Sequence, residues 1–244
     1  MNDQKITIII PARYESNRLP GKILMDIAGK TMIQRVYEQC VKAKITENIL
    51  VATDNKKIFQ TVEKFGGNAI ITSSKHKSGT ERIGEVASKI DTDIIVNVQG
   101  DEPLIDPSII KNVSEELIKN PKIDVATAKR IITDKKDLSN PNIVKVVTNK
   151  NDFALYFSRS LIPYPRKKVV GNFYKHLGIY AYRKKFLLNM PKLEKSFIEE
   201  SECLEQLKIL DNGYKIKVIE VDGFSFGVDT KEDLDRIRRM IKDG

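Results

Sequence analysis

The stretch Ile6-Thr7-Ile8-Ile9-Ile10-Pro11-Ala12-Arg13-Tyr14-Glu15-Ser16-Asn17-Arg18-Leu19-Pro20-Gly21-Lys22 decides the fold. Ile6 to Ile10 is a short β-branched run of strand length. Pro11 ends the ladder by removing a backbone donor, and Pro20-Gly21 forces a further turn. Between them Arg13, Arg18 and Lys22 place three cations on one loop. Arginine offers planar bidentate contacts to phosphate oxygens and lysine a compact charge, so the loop suits a triphosphate; a solvated basic loop is the plain alternative.

Outward from this strand the first half alternates β-branched runs with amphipathic stretches. Ile6 to Ile10 precedes Met32 to Ala43, Ile49 to Thr53 precedes Lys57 to Phe65, and Ile94 to Val98 precedes Ser108 to Ile118. That order predicts βαβ units and a largely parallel sheet. Further on, Val144 to Thr148, Ala154 to Phe157 and His176 to Tyr182 read as strands, and Glu199 to Leu210 and Lys231 to Ile241 as helices. With no repeat or Ser/Gly linker between the halves, the expectation is one domain over 1–244, its second half forming a lobe over the substrate.

Ligands of parallel α/β sheets gather at the carboxyl ends of strands. There Ile94 to Val98 runs into Gln99-Gly100-Asp101-Glu102-Pro103, where Gly100 lets the backbone approach a ligand and Asp101 is placed to hold Mg²⁺ beside phosphates. Phe226-Gly227-Val228-Asp229-Thr230 repeats the pattern before a helix; Asp229 reads as a second metal carboxylate or as an N-cap. Ser78-Gly79-Thr80-Glu81-Arg82 follows Ala69 to Thr72 and opens a helix, as an anion or base site or as a plain S-x-x-E cap. Upstream lies His76, read as a turn residue. Gly29-Lys30-Thr31 ends like a phosphate-binding loop, but Leu24 stands where that loop's first glycine belongs, leaving a turn before a helix. In the second half Arg159 suits a carboxylate, while His176, Tyr180, Glu205 and Gln206 can hydrogen-bond hydroxyls.

Of the 244 residues, 41% are hydrophobic and 31% charged, as in globular chains and unlike disordered or membrane-spanning ones. Met1 to Lys5 shows no signal-peptide pattern, and two cysteines, Cys40 and Cys203, both in stretches read as helical, suggest neither a disulfide framework nor a zinc cluster; the cytoplasm is the expected location. The formal charge of +9 admits nucleic acid, acidic membranes or small anions as partners. The lysines are scattered and do not interleave with aromatics, so neither a nucleic-acid platform nor a membrane surface is expected.

With these residues in view, the chain resembles the 3-deoxy-manno-octulosonate (Kdo) cytidylyltransferases. The resemblance rests on IPARYESNRLPGK (10–22), GKTMIQRVYE (29–38), VATD (51–54), SGTER (78–82), NVQGDEP (97–103), NPNIVKVV (140–147), ALYFSR (154–159), IPY (162–164), KHLGIYAYR (175–183), LEQL (204–207) and GVDTKEDL (227–234), in order over nearly the whole chain. It implies a nucleotide-diphosphosugar transferase α/β/α sandwich with a mostly parallel mixed sheet, a CTP-binding half over about 1–130, a sugar-binding and dimerisation half over about 131–244, and a homodimer. It further implies an Mg²⁺-dependent transfer of CMP from CTP to Kdo for lipopolysaccharide synthesis. Carried onto this chain, Lys22, Asp101, Asp229 and Arg13 would be catalytic, with Mg²⁺ on Asp101 and Asp229. Pro11, Ala12, Arg13, Arg18, Lys22, Ser78, Gly79 and Arg82 would hold CTP, and Gln99, Arg159, His176, Tyr180, Glu205 and Gln206 the acidic sugar. Ser73 and Lys75 depart from the usual pattern at the rim of the base pocket, while Lys208 and Glu200-Ser201 depart from it near the sugar, which keeps an 8-amino Kdo analogue or another acidic sugar as the alternative substrate.

Overall fold

A computed structural model describes residues 4–15, 18–167 and 171–243; Met1 to Asp3 and the loop residues Ser16 and Asn17 lie outside the described residues. In chain order the elements are β1 (Ile6–Ala12), β2 (Asp26–Ile27), β3 (Lys30–Thr31), α1 (Met32–Lys42), β4 (Ile49–Thr53), α2 (Lys56–Lys64), β5 (Ala69–Ile71), α3 (Gly79–Lys89), β6 (Ile94–Asn97), α4 (Pro107–Lys119) and β7 (Val125–Ile131). There follow α5 (Lys135–Ser139), β8 (Lys145–Thr148), β9 (Ala154–Ser158), β10 (Tyr174–Arg183), α6 (Lys184–Asn189), α7 (Phe197–Glu202), α8 (Glu205–Asp211), β11 (Ile216–Glu220) and α9 (Lys231–Asp243).

The main sheet runs β11-β7-β10-β6-β1-β4-β5, with β8 and β9 added beside β10. Along this path β10 alone opposes the other strands, so the sheet is mixed and mostly parallel. Two-residue periodicity sends Ile8 and Ile10 of β1 to one face and Ile9 to the other. The first face packs under α1, α2 and α4 through Val36, Ile58 and Val113, and the second under α3, α6 and α8 through Ile83, Phe186 and Leu207. Both faces are covered, which explains why β1 and β6 are apolar without alternation. A smaller cluster of Ile27, Met32, Val228, Leu234 and Ile237 seats α9 against the β2–β3 hairpin.

One expected helix is two. The stretch Glu199 to Leu210 breaks at Cys203, which adopts a left-handed conformation (φ 51°) as the C-cap of α7, while Leu204 is extended and buried. Cys203 is therefore a cap and not a helical residue. The Glu202 carboxylate accepts from Ser158 Oγ at 2.5 Å and from Arg159 N at 2.9 Å, holding the end of α7 against β9 while Leu204 and Leu207 turn into the core. The break makes Glu205 the first residue of α8.

Candidate active site

The carboxyl ends of β1, β4, β5 and β6 converge on one cleft. The loop after β1 is closed by Gly21 N donating to Tyr14 O at 3.0 Å, and Gly21 takes the positive φ of 70° that the turn needs. The chain then tightens into one 3-10 turn, Lys22–Leu24, which turns the Lys22 stem inward and leaves the residue 8% exposed. After β6, Gly100 passes so close to β1 that a Cβ there would lie 2.8 Å from Pro11 O. Asp101 follows, and Val228 N donates to Asp101 O at 2.9 Å, joining the loop before α9 to the end of β6.

These constraints put one ammonium between two carboxylates. Lys22 Nζ donates to Asp101 Oδ2 at 2.6 Å, to Asp229 Oδ1 at 2.8 Å and to Val228 O at 2.7 Å. Arg18 pairs with the other Asp229 oxygen, Oδ2, at 2.8 Å. Burial works against the Lys22 charge, but Asp101 and then Asp229 outweigh it, and its pKa is raised. Asp229 is not a helix cap: Thr230 Oγ1 accepts from Asp233 N, and Asp233 Oδ2 accepts from the Asp229 and Thr230 amides, leaving the Asp229 carboxylate to the cleft.

The cleft has a volume of about 450 Å³. Its walls gather Pro11, Ala12, Arg13, Arg18, Lys22, Ser78, Gly79, Arg82, Gln99, Asp101 and Asp229, so all eight residues expected to hold CTP lie together with both expected metal carboxylates. Ser78 caps α3 by accepting from Glu81 N at 3.1 Å, and the amide-rich start of that helix faces the cleft. Arg82, 3% exposed, donates to Asp54 Oδ2 at 2.7 Å and to Thr72 Oγ1, so β4 and β5 fix its guanidinium from below. Asp54 was not singled out from sequence, although an acid at a strand end, in VATD, was the available signal. Glu102 was likewise passed over. It is buried, accepts from Ser225 Oγ, and is pushed up to about 7 by burial, with Ser225 opposing and Asp101 adding to the shift.

Beside the cleft is a second cavity of about 60 Å³ lined in part by Gln99, Tyr180, Glu205 and Gln206, four of the six residues expected to read the sugar. Gln99 borders both cavities. The Glu205 carboxylate accepts from Ser78 Oγ at 3.1 Å and Thr80 Oγ1 at 2.5 Å, tying α8 to the start of α3. Arg159 and His176 line neither cavity. The Arg159 side chain donates to the carbonyls of Glu202 and Pro141 at 2.8 and 3.0 Å. His176 packs edge-on to Phe157 and against Tyr180, with Nε2 at 2.9 Å from Thr127 Oγ1, and burial lowers its pKa to about 3, leaving a neutral ring.

Comparison with known proteins shows the family. The cytidylyltransferase profile matches residues 7–216. A 3-deoxy-manno-octulosonate cytidylyltransferase of Trichlorobacter lovleyi is 46% identical over 98% of this chain and 100% of its own length. The chain belongs to the 3-deoxy-manno-octulosonate cytidylyltransferase family. A further member from Fusobacterium nucleatum is 48% identical over 96% of each chain. A solved CMP:2-keto-3-deoxy-manno-octonic acid synthetase complexed with CTP superposes with a TM-score of 0.94, at 44% identity over 98% of this chain and 99% of its own. The α/β/α nucleotidyltransferase sandwich expected from the resemblance is therefore the fold observed.

Could this cleft hold a divalent cation? The donor set fits one: Asp101 and Asp229 already converge on the Lys22 ammonium, and two carboxylates beside a phosphate site are the usual protein share of Mg²⁺ coordination. No group of three or more His, Cys, Asp or Glu side chains with metal-ligand geometry occurs among the described residues, so the remaining ligands would come from phosphate and water.

Proposed function

We propose that this protein transfers CMP from CTP to the anomeric 2-hydroxyl of 3-deoxy-D-manno-octulosonate, releasing pyrophosphate and supplying an activated sugar for lipopolysaccharide synthesis. The observation that carries the proposal is Lys22 Nζ held between Asp101 and Asp229 beside a loop bearing Arg13 and Arg18. The relatives' shared name and the CTP complex of the solved relative support the same reading.

In the reaction the sugar hydroxyl oxygen bonds to the α-phosphorus as the bond from that phosphorus to the α,β-bridging oxygen breaks, pyrophosphate leaves with that oxygen, and the hydroxyl proton passes to water. Arg13, Arg18 and Lys22 bind the triphosphate and offset the charge that spreads over it and onto the departing pyrophosphate. Ser78, Gly79 and Arg82 seat the cytidine, with Pro11 and Ala12 as its floor, which fixes the α-phosphorus for in-line attack. The sugar would be oriented by Gln99, Tyr180, Glu205 and Gln206, which line the adjoining cavity, with Arg159 and His176 supporting that wall from outside it through their contacts to Glu202 and Tyr180. Mg²⁺, held by Asp101 and Asp229, would neutralise phosphate charge and acidify the attacking hydroxyl.

Residues of about 1–130 would bind nucleotide and those of about 131–244 sugar, with Asp229 returning from the second half. The protein would act as a cytoplasmic homodimer; among the described residues no helix is long and apolar enough to cross a membrane. Sedimentation of the purified protein tests the dimer. Pyrophosphate release with CTP and Mg²⁺, comparing Kdo, its 8-amino analogue, a sialic acid and no sugar, tests the reaction. Release with Kdo is expected. Release with the analogue alone would keep the chemistry and move the substrate, and no release with any sugar would overturn the proposal.

A further inference from the structure

The small cavity beside the nucleotide cleft is walled by two polar groups that the protein leaves unsatisfied. Asn97 is 2% exposed and Tyr180 8%, and they are direct partners across the antiparallel β6–β10 pair. Among the described residues, Asn97 Oδ1 and the Tyr180 hydroxyl are both buried with no hydrogen-bond partner. The Thr127 hydroxyl, on β7 opposite Tyr180, is already engaged by His176 Nε2 at 2.9 Å and the Ile179 carbonyl at 2.7 Å. Both unpaired groups border the same cavity of about 60 Å³, together with Gln99 and Gln206.

Unsatisfied buried polar atoms are rare in native cores because each forfeits its bonds to water. Two of them, on adjacent strands facing one cavity, point to a ligand group that completes them. The cavity is well above the roughly 10–15 Å³ that a single water needs, yet far too small for a whole sugar, so it admits one arm of a larger molecule. Gln99, shared with the nucleotide cleft, marks the direction from which that arm enters.

We propose that Asn97 is a specificity-determining residue, whose amide oxygen acts with the Tyr180 hydroxyl to bind one hydroxyl group of the sugar in this cavity. This assignment rests on the reaction proposed above. A hydroxyl both donates and accepts, matching an amide oxygen that can only accept and a phenol that can donate. A carboxylate would face the Asn97 oxygen and the nearby Glu205 with no proton to offer, and an ammonium could accept nothing from Tyr180. Burial, with the Glu205 carboxylate adding and the neighbouring Thr127 hydroxyl opposing, raises the Tyr180 pKa well above its ordinary value and keeps the phenol a donor; Thr127 lies close to the phenol but makes no hydrogen bond of good geometry with it. The cavity therefore selects hydroxyl over both acid and amine at one carbon of the sugar.

The test uses the full-length protein and Asn97→Leu, which keeps the side chain's branched heavy-atom skeleton and removes its polar atoms. The melting temperature should rise, because an unpaired buried amide oxygen is gone, while the KM for Kdo rises about tenfold or more and the KM for CTP stays within about twofold. Tyr180→Phe should show the same pattern, which keeps the assignment testable if Asn97→Leu does not fold. Among singly deoxygenated Kdo analogues, the one lacking the bound hydroxyl should be poor with wild type and suffer no further loss with Asn97→Leu. An unchanged Kdo KM in both variants, with normal pyrophosphate release, would overturn this assignment alone. Absence of release by the wild type with every acidic sugar would overturn it together with the proposed reaction.

Discussion

Replacing Lys22 with Met probes the centre of the cleft, because methionine keeps an unbranched apolar stem and loses the ammonium. Three contacts vanish, to Asp101 Oδ2, Asp229 Oδ1 and Val228 O. Breaking a fully buried ion pair from one side costs about 3–5 kcal/mol. Here the Asp101 and Asp229 side chains retain 30% and 44% exposure, and Arg18 still holds Asp229 Oδ2 at 2.8 Å, so water and arginine recover much of that. The expected loss is ~1–2 kcal/mol, a fall in melting temperature of about 3–6 °C for a chain of this size. Because the folded-state pKa of Lys22 is raised above its ordinary 10.5, its contribution is complete below that value and is lost as pH climbs through the higher folded one. The gap between wild type and variant should therefore be flat from about pH 6 to 9. Thermal melts in chelator, repeated with Mg²⁺, read this directly. With its internal cation gone, the carboxylate pair should give the variant the larger Mg²⁺ stabilisation, and pyrophosphate release should fall about 10²–10³-fold. An unmoved melting temperature in chelator, or an equal response to Mg²⁺ in both proteins, would refute the reasoning.

Three other substitutions test the surrounding parts. Asp101→Asn should reduce kcat far more than it weakens CTP binding, measured by turnover against equilibrium CTP titration; near-normal turnover would contradict the role given to Asp101. Asp54→Asn removes the carboxylate that fixes Arg82 at 2.7 Å, so the KM for CTP should rise about tenfold with kcat largely kept, and an unchanged CTP KM would show that Thr72 suffices to place the guanidinium. Glu85 is held down to about 2, chiefly by its bond from Lys89, with Ser73 N and His76 adding to the shift. A depressed carboxylate contributes stability above its ordinary 4.5 that is lost as pH falls towards about 2. Glu85→Gln should thus flatten the acid limb of the stability profile by ~1–2 kcal/mol, and an unaltered acid limb in melts would count against it.

The parallel half of the fold was legible because its strands are short β-branched runs and its helices amphipathic, so β1, β4 and β6 and the helices between them fell near their expected places. β7 and β11 were not expected. The interior of β7 reads Val125, Ala126, Thr127, Ala128 and Lys129, small or polar residues whose burial makes sense only through partners: Lys129 Nζ donates to Thr148 Oγ1 at 2.9 Å and Asp152 Oδ1 at 3.0 Å. The break at Cys203 was hidden for a similar reason, since nothing within α7 and α8 signals the hold that β9 exerts on Glu202.

The site shows the same division more sharply. Arg13, Arg18, Lys22, Asp101 and Asp229 were readable as cations and acids at strand ends, but whether Asp229 capped a helix or faced the cleft turned on Lys22, which is 207 positions away in the chain. Short motifs carry the residue types that a chemistry needs. They do not carry the contact that decides between two local uses of one carboxylate, and here Thr230 takes the cap, which leaves Asp229 for charge work. Asn97 is the opposite case. In sequence it sits unnoticed inside a buried strand, and only the absence, among the described residues, of a partner for its amide oxygen, beside an equally unpaired phenol on the next strand, distinguishes it from a residue that packs. A core position that leaves a polar atom unsatisfied lowers the stability of the free protein, and a ligand that supplies the missing bond recovers that loss only when bound. Residues of this kind therefore reveal themselves by opposite effects on stability and affinity when made apolar, a signature that neither a structural amide nor a solvated surface residue can produce.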